Sequence, residues 1–251
     1  MPFDLSGRTA LITGASSGLG AHFAELFVRA GARVAIGARR VDRLDALAAR
    51  LGEAAVPVPI DVTDADSIAA AYDAAEARFG TIDTVIANAG QSNPGRSTDV
   101  PADALKSTID VNFTGVLLTA REGARRMIAA GARETGRGRI VLIGSITAHM
   151  TAQGDSAYAA SKAAVAHLGR NLAREWVRSG INVNTVQPGY VQTEINGDWF
   201  STEGGQAQIA GWHRRRLMPP DALDEMVSFF AADASAHVTG AVIDVDDGQS
   251  L

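Results

Sequence analysis

The chain has 251 residues, 46% of them hydrophobic and 20% charged, with a formal net charge of −5. That balance suits one large globular α/β domain, and the acidic charge argues against a nucleic-acid partner, which needs a basic face to meet phosphates. Cysteine is absent, which excludes disulfides, thiol nucleophiles and thiolate zinc sites, and no metal site is expected.

Strand and helix signals alternate from the start. Residues 9–13 form a short apolar run that ends at Gly14, and residues 19–30 carry Phe23, Leu26, Phe27 and Ala30 at helical spacing before Gly31. Residues 33–37 predict a second strand and 41–51 a helix. Residues 55–60 read as a strand despite Pro57 and Pro59, which suit an edge better than a centre. Asp64 is placed to cap a helix that runs to Phe79, and residues 82–87 predict a fourth strand. A long helical stretch follows from Pro101 to about Ala130, then a strand over 139–144. Residues 156–179 read as a helix and 181–186 as a strand. Residues 188–216 are irregular and rich in aromatics, Pro219 opens a last helix, and residues 241–245 form a last strand. Seven strands alternating with helices imply a mostly parallel sheet with helices on both faces. No linker, repeat or low-complexity stretch divides the chain, so residues 1–251 read as one domain. The N-terminus lacks a signal-peptide pattern and no apolar run reaches membrane length. A cytoplasmic protein with a small-molecule partner and no membrane partner is expected.

Glycines at 14, 18 and 20, with Ser16, Ser17 and Leu19 between them, lie between the first strand and the first helix. There they let the backbone turn tightly and approach a pyrophosphate, which then rests on the helix N-terminus. The spacing departs from the common G-x-G-x-x-G pattern, so its weight comes from its position after a strand and before a helix. The second strand ends Gly37-Ala38-Arg39-Arg40, with no carboxylate until Asp42. Arginine there suits the 2′-phosphate of NADP, whereas a carboxylate would suit the ribose hydroxyl of NAD. NADP(H) is therefore expected over NAD(H), with Arg39 as the leading contact and Arg40 beside it.

Tyr158 and Lys162 stand four residues apart on a predicted helix and so share a face. A free tyrosine titrates near pH ~10, and an ammonium beside it would lower that value and make the phenol a usable acid/base. Lysine occurs only at 106 and 162 in this arginine-dominated chain, which raises the information carried by Lys162. Ser145 follows the strand over 139–144, at the carboxyl end where parallel sheets bind ligands.

Together, Thr13-Gly-x-x-x-Gly-x-Gly20, Asp61, Asn88-Ala89-Gly90, Asn112, Ser145, Tyr158-x-x-x-Lys162 and Pro188-Gly189 resemble the short-chain dehydrogenase/reductase family, with a ketoreductase-like pattern, over nearly the whole chain. The resemblance implies a Rossmann-type, doubly wound fold and interconversion of a ketone and a secondary alcohol by hydride transfer. It implies Tyr158 as acid/base that also touches the cofactor, Ser145 orienting the substrate oxygen, and Lys162 holding the nicotinamide ribose and tuning Tyr158. Asn112 would anchor a water in a proton relay with Lys162. Asp61 and Val62 would flank the adenine, Asn88, Ala89 and Gly90 would line the cofactor, and Pro188, Gly189, Val191 and Thr193 would touch its nicotinamide end. A tetramer is typical of such relatives. The sequence departs from the pattern at Ala87, where an Asn is usual, and at Asp246-Asp247-Gly248, where many relatives carry a Gly pair.

Residues 188–216 are expected to cover the site. Tyr190, Ile195, Trp199, Phe200 and Trp212 could line an apolar pocket or simply bury the loop, and Thr147, Met150 and Gln153 are further pocket candidates. His149 reads better as a surface or capping residue, and Arg214-Arg215-Arg216 as solvated or ion-paired. A 3-oxoacyl-thioester reductase fits the same motifs, and a catalytically idle NADP-binding regulator is the reading of a different class, disfavoured by the intact Asn112, Ser145, Tyr158 and Lys162.

Overall fold

The computed structural model describes residues 3–151, 153–194 and 197–251. Among them are seven strands: β1 (Thr9–Thr13), β2 (Arg33–Ala38), β3 (Ala55–Pro59), β4 (Thr84–Ala87), β5 (Gly138–Ile143), β6 (Ile181–Pro188) and β7 (Val242–Val245). They form one sheet in the order β3-β2-β1-β4-β5-β6-β7. Every pairing is parallel, where the sequence predicted a mostly parallel sheet. The helices are α1 (Gly18–Arg29), α2 (Val41–Leu51), α3 (Ala65–Phe79), α4 (Ala102–Ile109), α5 (Gly115–Ala129), α6 (Ala132–Thr135), α7 (Ser156–Trp176), α8 (Glu203–Gly211) and α9 (Asp224–Ala231). The fold is a single doubly wound Rossmann-type domain.

Each face of the sheet carries its own apolar layer. Phe23 and Phe27 of α1 and Phe230 of α9 pack on one face with Ile12 and Val141. Ile68 and Tyr72 of α3 and Ala120 of α5 pack on the other with Leu11 and Val85. β3 pairs only with β2 and so lies at the edge, where Pro57 and Pro59 cost no central ladder bond.

The structure revises several boundaries. The stretch from Pro101 to Ala130 is not one regular helix. A wide turn of π-type at Asp110–Thr114 separates α4 from α5, and such bulges cluster at functional sites. The span 188–216 is not irregular throughout, since it contains α8 and a short turn at Trp199–Ser201. Thr202 caps α8, its hydroxyl accepting from Gly205 N at 3.1 Å. The last helix opens with a tight turn at Pro220–Leu223 before α9.

Parallel strands place all carboxyl ends on one side. Gly14, Arg39, Ile60, Asn88, Gly144 and Gly189 each directly follow a strand there. The strand order reverses between β1 and β4, and a ligand crevice forms at such a switch point.

Candidate active site

A cavity of about 830 Å³ opens at this switch point. Its walls include Gly14, Ser16, Ser17, Gly18, Leu19, Arg39, Arg40, Asp61, Val62, Asn88, Ala89 and Gly90 toward one end. Ser145, Thr147, Gln153, Tyr158, Lys162, Pro188, Gly189, Tyr190, Val191, Thr193, Trp199 and Phe200 complete the other. Of the residues given a catalytic or cofactor role from sequence, Gly20 and Asn112 are not part of the wall, and neither is Trp212 of the pocket candidates.

Gly20 packs the first turn of α1 against the loop before it. A Cβ there would stand 2.3 Å from the Gly14 carbonyl oxygen and 2.7 Å from Asn88 Nδ2. Gly14 has φ +71° and would meet Ala89 Cα at 2.9 Å. The turn is therefore built for close backbone approach, with Gly18 and Leu19 at the N-terminus of α1 lining the cavity, and a helix N-terminus placed there fits a dinucleotide phosphate. Thr13 fixes the neighbouring wall: its hydroxyl accepts from the amides of Asn88 and Ala89, both at 3.1 Å, while Asn88 Nδ2 donates to the Thr13 carbonyl at 2.9 Å.

Arg40 spans this turn. Its Nε donates to Ser16 Oγ at 3.1 Å and its terminal nitrogen to Ser17 Oγ at 2.7 Å. Arg39 is exposed at the same strand end, and its charge helps hold the Asp61 carboxyl below the usual range, after hydrogen bonds from the Thr63 amide and hydroxyl. The leading contact expected at Arg39 is thus accompanied by a second guanidinium already tied to the glycine turn. Glu194 pairs with Arg43 at 2.9 Å and with Arg40 at 3.6 Å, joining the covering segment to α2.

Tyr158, Lys162 and Ser145 converge at the other end. Ser145 Oγ accepts from Thr147 N at 3.2 Å and from Thr147 Oγ1 at 2.9 Å, and its own hydrogen bond to Tyr158 lowers the phenol's pKa. Burial outweighs that bond and pushes Tyr158 up to about 12, aided by the nearby Asp155 and Tyr190. Lys162 Nζ lies 5.5 Å from the Tyr158 ring centroid, yet it donates to the Ile143 carbonyl at 2.9 Å. Burial pushes its ammonium down to about 8. The expected lowering of Tyr158 by Lys162 is thus not supplied by protein groups alone, because desolvation acts on both residues. What they do form is a protonated phenol flanked by a serine hydroxyl, which is a proton donor for an oxygen placed between them.

Asn112 is fully buried in the π-type turn. Its Oδ1 accepts from Gln91 N and its Nδ2 donates to Gln91 O, both at 2.9 Å, and Nδ2 also reaches Ser161 Oγ at 3.2 Å. Sequence reading missed Gln91, Ser92, Asp155 and Gln208, all of which line the cavity. None belongs to a spaced motif that could have marked it.

The aromatics of the covering span serve two purposes. Trp212 is buried and stacks on Tyr190 at 5.3 Å, and Phe200 meets Tyr190 edge-on at 5.5 Å. Phe200 and Tyr190 also line the cavity, as does the half-exposed Trp199. Ile195 lies outside the described residues. Arg214 and Arg216 pair with Asp247 at 2.8 and 2.7 Å. Asp247 takes φ +57°, so the departure from the Gly pair falls at a left-handed backbone position. His149 is exposed and pairs with Asp244 at 3.1 Å.

No helix among the described residues is long and apolar enough to cross a membrane. The chain is 38% identical over 248 residues to cis-4-hydroxycyclohexanecarboxylate dehydrogenase of Sinomonas cyclohexanicum, covering 96% of each chain. A gluconate 5-dehydrogenase from Burkholderia cenocepacia J2315, solved with NADP and tartrate, superposes with a TM-score of 0.92 at 32% identity, covering 99% of this chain and 97% of that one. A 3-ketoacyl-(acyl-carrier-protein) reductase from Brucella melitensis, solved with NADH, superposes with a TM-score of 0.90 at 30% identity, covering 99% and 100%. The short chain dehydrogenase family model matches residues 8–204, and with the glycine turn, the doubly wound sheet and these relatives it establishes that the chain belongs to the short-chain dehydrogenase/reductase family of oxidoreductases.

Proposed function

We propose that the protein interconverts a ketone and a secondary alcohol with NADP(H) as cofactor, Tyr158 serving as the acid/base. The observation that carries this reading is the meeting of Ser145, Tyr158 and Lys162 in the cavity that Gly14, Arg39 and Arg40 also line. When bound, a nicotinamide dinucleotide supplies or accepts the hydride. Tyr158 gives its proton to the carbonyl oxygen as that oxygen takes up negative charge. Ser145, whose oxygen already accepts from Thr147, turns its own proton toward the same oxygen and orients it. Lys162 holds the nicotinamide ribose, and Asn112 fixes the Gln91 backbone beside it. Gly18, Leu19, Ser16 and Ser17 hold the pyrophosphate, Asp61 and Val62 flank the adenine, and Asn88, Ala89, Gly90, Pro188, Gly189, Val191 and Thr193 wall the cofactor. Residues 188–216 cover the substrate, with Thr147, Gln153, Tyr190, Trp199 and Phe200 touching it.

Arg39 and Arg40 favour the 2′-phosphate, and no carboxylate precedes them at the strand end. Consumption of NADPH and NADH read in parallel over a ketone panel tests the preference. Arg40→Ala and Arg39→Ala should each weaken NADPH about 10- to 100-fold, the worth of a charge-assisted hydrogen bond, with far less effect on NADH. Equal losses on both cofactors would contradict the assignment. A second reading, reduction of 3-oxoacyl thioesters, is favoured by the structural neighbour of that name, and turnover of acetoacetyl-CoA above the simple ketones would establish it. A cytoplasmic homo-oligomer, a tetramer, completes the proposal: β7 ends the sheet with half-buried Val242, Ile243 and Val245, and sedimentation measures the assembly.

A further inference from the structure

Asp155 occupies the position before the first residue of α7, where an aspartate usually accepts from first-turn amides. Its carboxylate caps nothing. Oδ1 accepts from Ser92 Oγ at 3.0 Å, and Ser92 comes from the loop after β4, so the carboxylate is held across the substrate end of the cavity. Both residues line that cavity. Among the described residues, Oδ2 has no hydrogen-bond partner.

The surroundings leave this charge uncompensated. Tyr190, Trp199 and Phe200 form an aromatic wall, and Gln208 accepts from the Trp199 indole at 2.8 Å. The cations among the described lining residues are Arg39, Arg40 and Lys162. The arginines serve the glycine-turn end, and Lys162 gives one donor to the Ile143 carbonyl and, in the reading above, the others to the cofactor ribose. Asp155 lies close enough for its charge to raise the phenol pKa values of both Tyr158 and Tyr190, so a molecule seated on Tyr158 feels it directly.

Resting on the ketone–alcohol chemistry above, we propose that Asp155 determines substrate class: its free oxygen accepts from a second hydroxyl of a neutral polyhydroxylated alcohol or hydroxyketone, and its charge rejects substrates that carry a carboxylate. With the reduced, uncharged nicotinamide bound, a carboxylate facing Asp155 in this partly desolvated cavity finds no further lining cation among the described residues beyond Arg39, Arg40 and Lys162, whereas a hydroxyl completes the unpaired oxygen. The preference is opposite to the substrate in the name of the Sinomonas relative.

The test is calorimetric titration of the NADPH-saturated protein, on which neither alcohol can be oxidised, with cyclohexane-1,4-diol and with 4-hydroxycyclohexanecarboxylate. The wild type should bind the diol about tenfold or more tightly than the carboxylate, and Asp155→Asn should shift that ratio toward the carboxylate by about 10- to 100-fold. Asp155→Ser, which keeps a helix-starting side chain, should shift it the same way and serves if the Asn variant does not fold. An unchanged ratio in the variants, a wild-type preference for the carboxylate, or no binding of the diol would overturn the proposal. Binding needs no turnover, so the ratio is read independently of the redox chemistry. Persistence of turnover in Tyr158→Phe would overturn the acid/base reading and leave the Asp155 ratio to stand or fall by itself.

Discussion

At the residue scale, burial governs the site more than pairwise attraction. Lys162 is held down to about 8 against an ordinary 10.5. Between those values the unfolded chain binds more protons than the folded one, so this group's contribution to stability rises with pH. Below them the folded protein bears the full penalty of a buried ammonium. Lys162→Met removes that penalty and also leaves the Ile143 carbonyl without its donor, a loss that does not depend on pH. The melting temperature of the variant relative to wild type should therefore be more favourable at neutral pH than near pH ~10, and a pH-independent difference would contradict the assigned burial effect. The spacing of Tyr158 and Lys162 was legible because four residues on a helix define a face. Asp155 was not, since an aspartate ahead of a helix reads as a cap, and only the fold shows its carboxylate turned to Ser92. Asn112 was legible by its company, but its grip on the Gln91 backbone depends on a loop distant in sequence.

At the element scale, the loops after the parallel strands decide the site. The glycine turn was legible from its place between a strand and a helix, and its tightness is now explained by contacts at Gly14 and Gly20. Gly20→Ala would force a Cβ against the Gly14 oxygen at 2.3 Å. We expect a loss of about 1–3 kcal/mol by chemical denaturation, as for overpacked interiors, together with weaker cofactor binding. Wild-type stability would mean that the turn relaxes freely. Two features were illegible. The π-type turn at Asp110–Thr114 contains no Gly or Pro to mark it, and the bonds of its Asn112 run to the Gln91 backbone and Ser161, both distant in sequence. The helix α8 carries Gly204 and Gly205 in its first turn, which hid it within a span that otherwise reads as loop.

At the scale of the whole molecule, the cavity and the buried arginines occupy opposite ends of the sheet. The carboxyl ends hold the cavity, and the amino ends are tied by buried arginines. Arg8 and Arg139 are each at most 2% exposed. Arg8 donates to the Arg137 carbonyl at 2.5 Å and pairs with Asp233, while Arg139 donates to the Gly136 and Gly138 carbonyls, both at 2.9 Å. Burial pushes the Arg139 guanidinium down to about 10 and raises the Asp83 carboxyl. Arg8→Ala should cost about 3–5 kcal/mol in denaturant unfolding, because it removes the buried guanidinium that stands 3.7 Å from the Asp83 carboxylate and leaves the Arg137 carbonyl without its donor. The kcat/KM of the folded fraction should stay at the wild-type value, since the cluster lies away from the cavity. The alternation of strands and helices made this architecture legible from sequence. The buried charges were not, as an arginine at a strand start reads as solvated until the helices close over it.

The central claim is that Tyr158 moves the proton in a nicotinamide-dependent carbonyl–alcohol exchange. The most direct measurement is single-turnover ketone reduction by wild type and Tyr158→Phe with NADPH saturating, on a ketone that the wild type turns over. The variant should bind NADPH as wild type does and reduce the ketone about 10²- to 10⁴-fold more slowly, the usual worth of a positioned acid. Reduction by Tyr158→Phe at the wild-type rate would contradict the account.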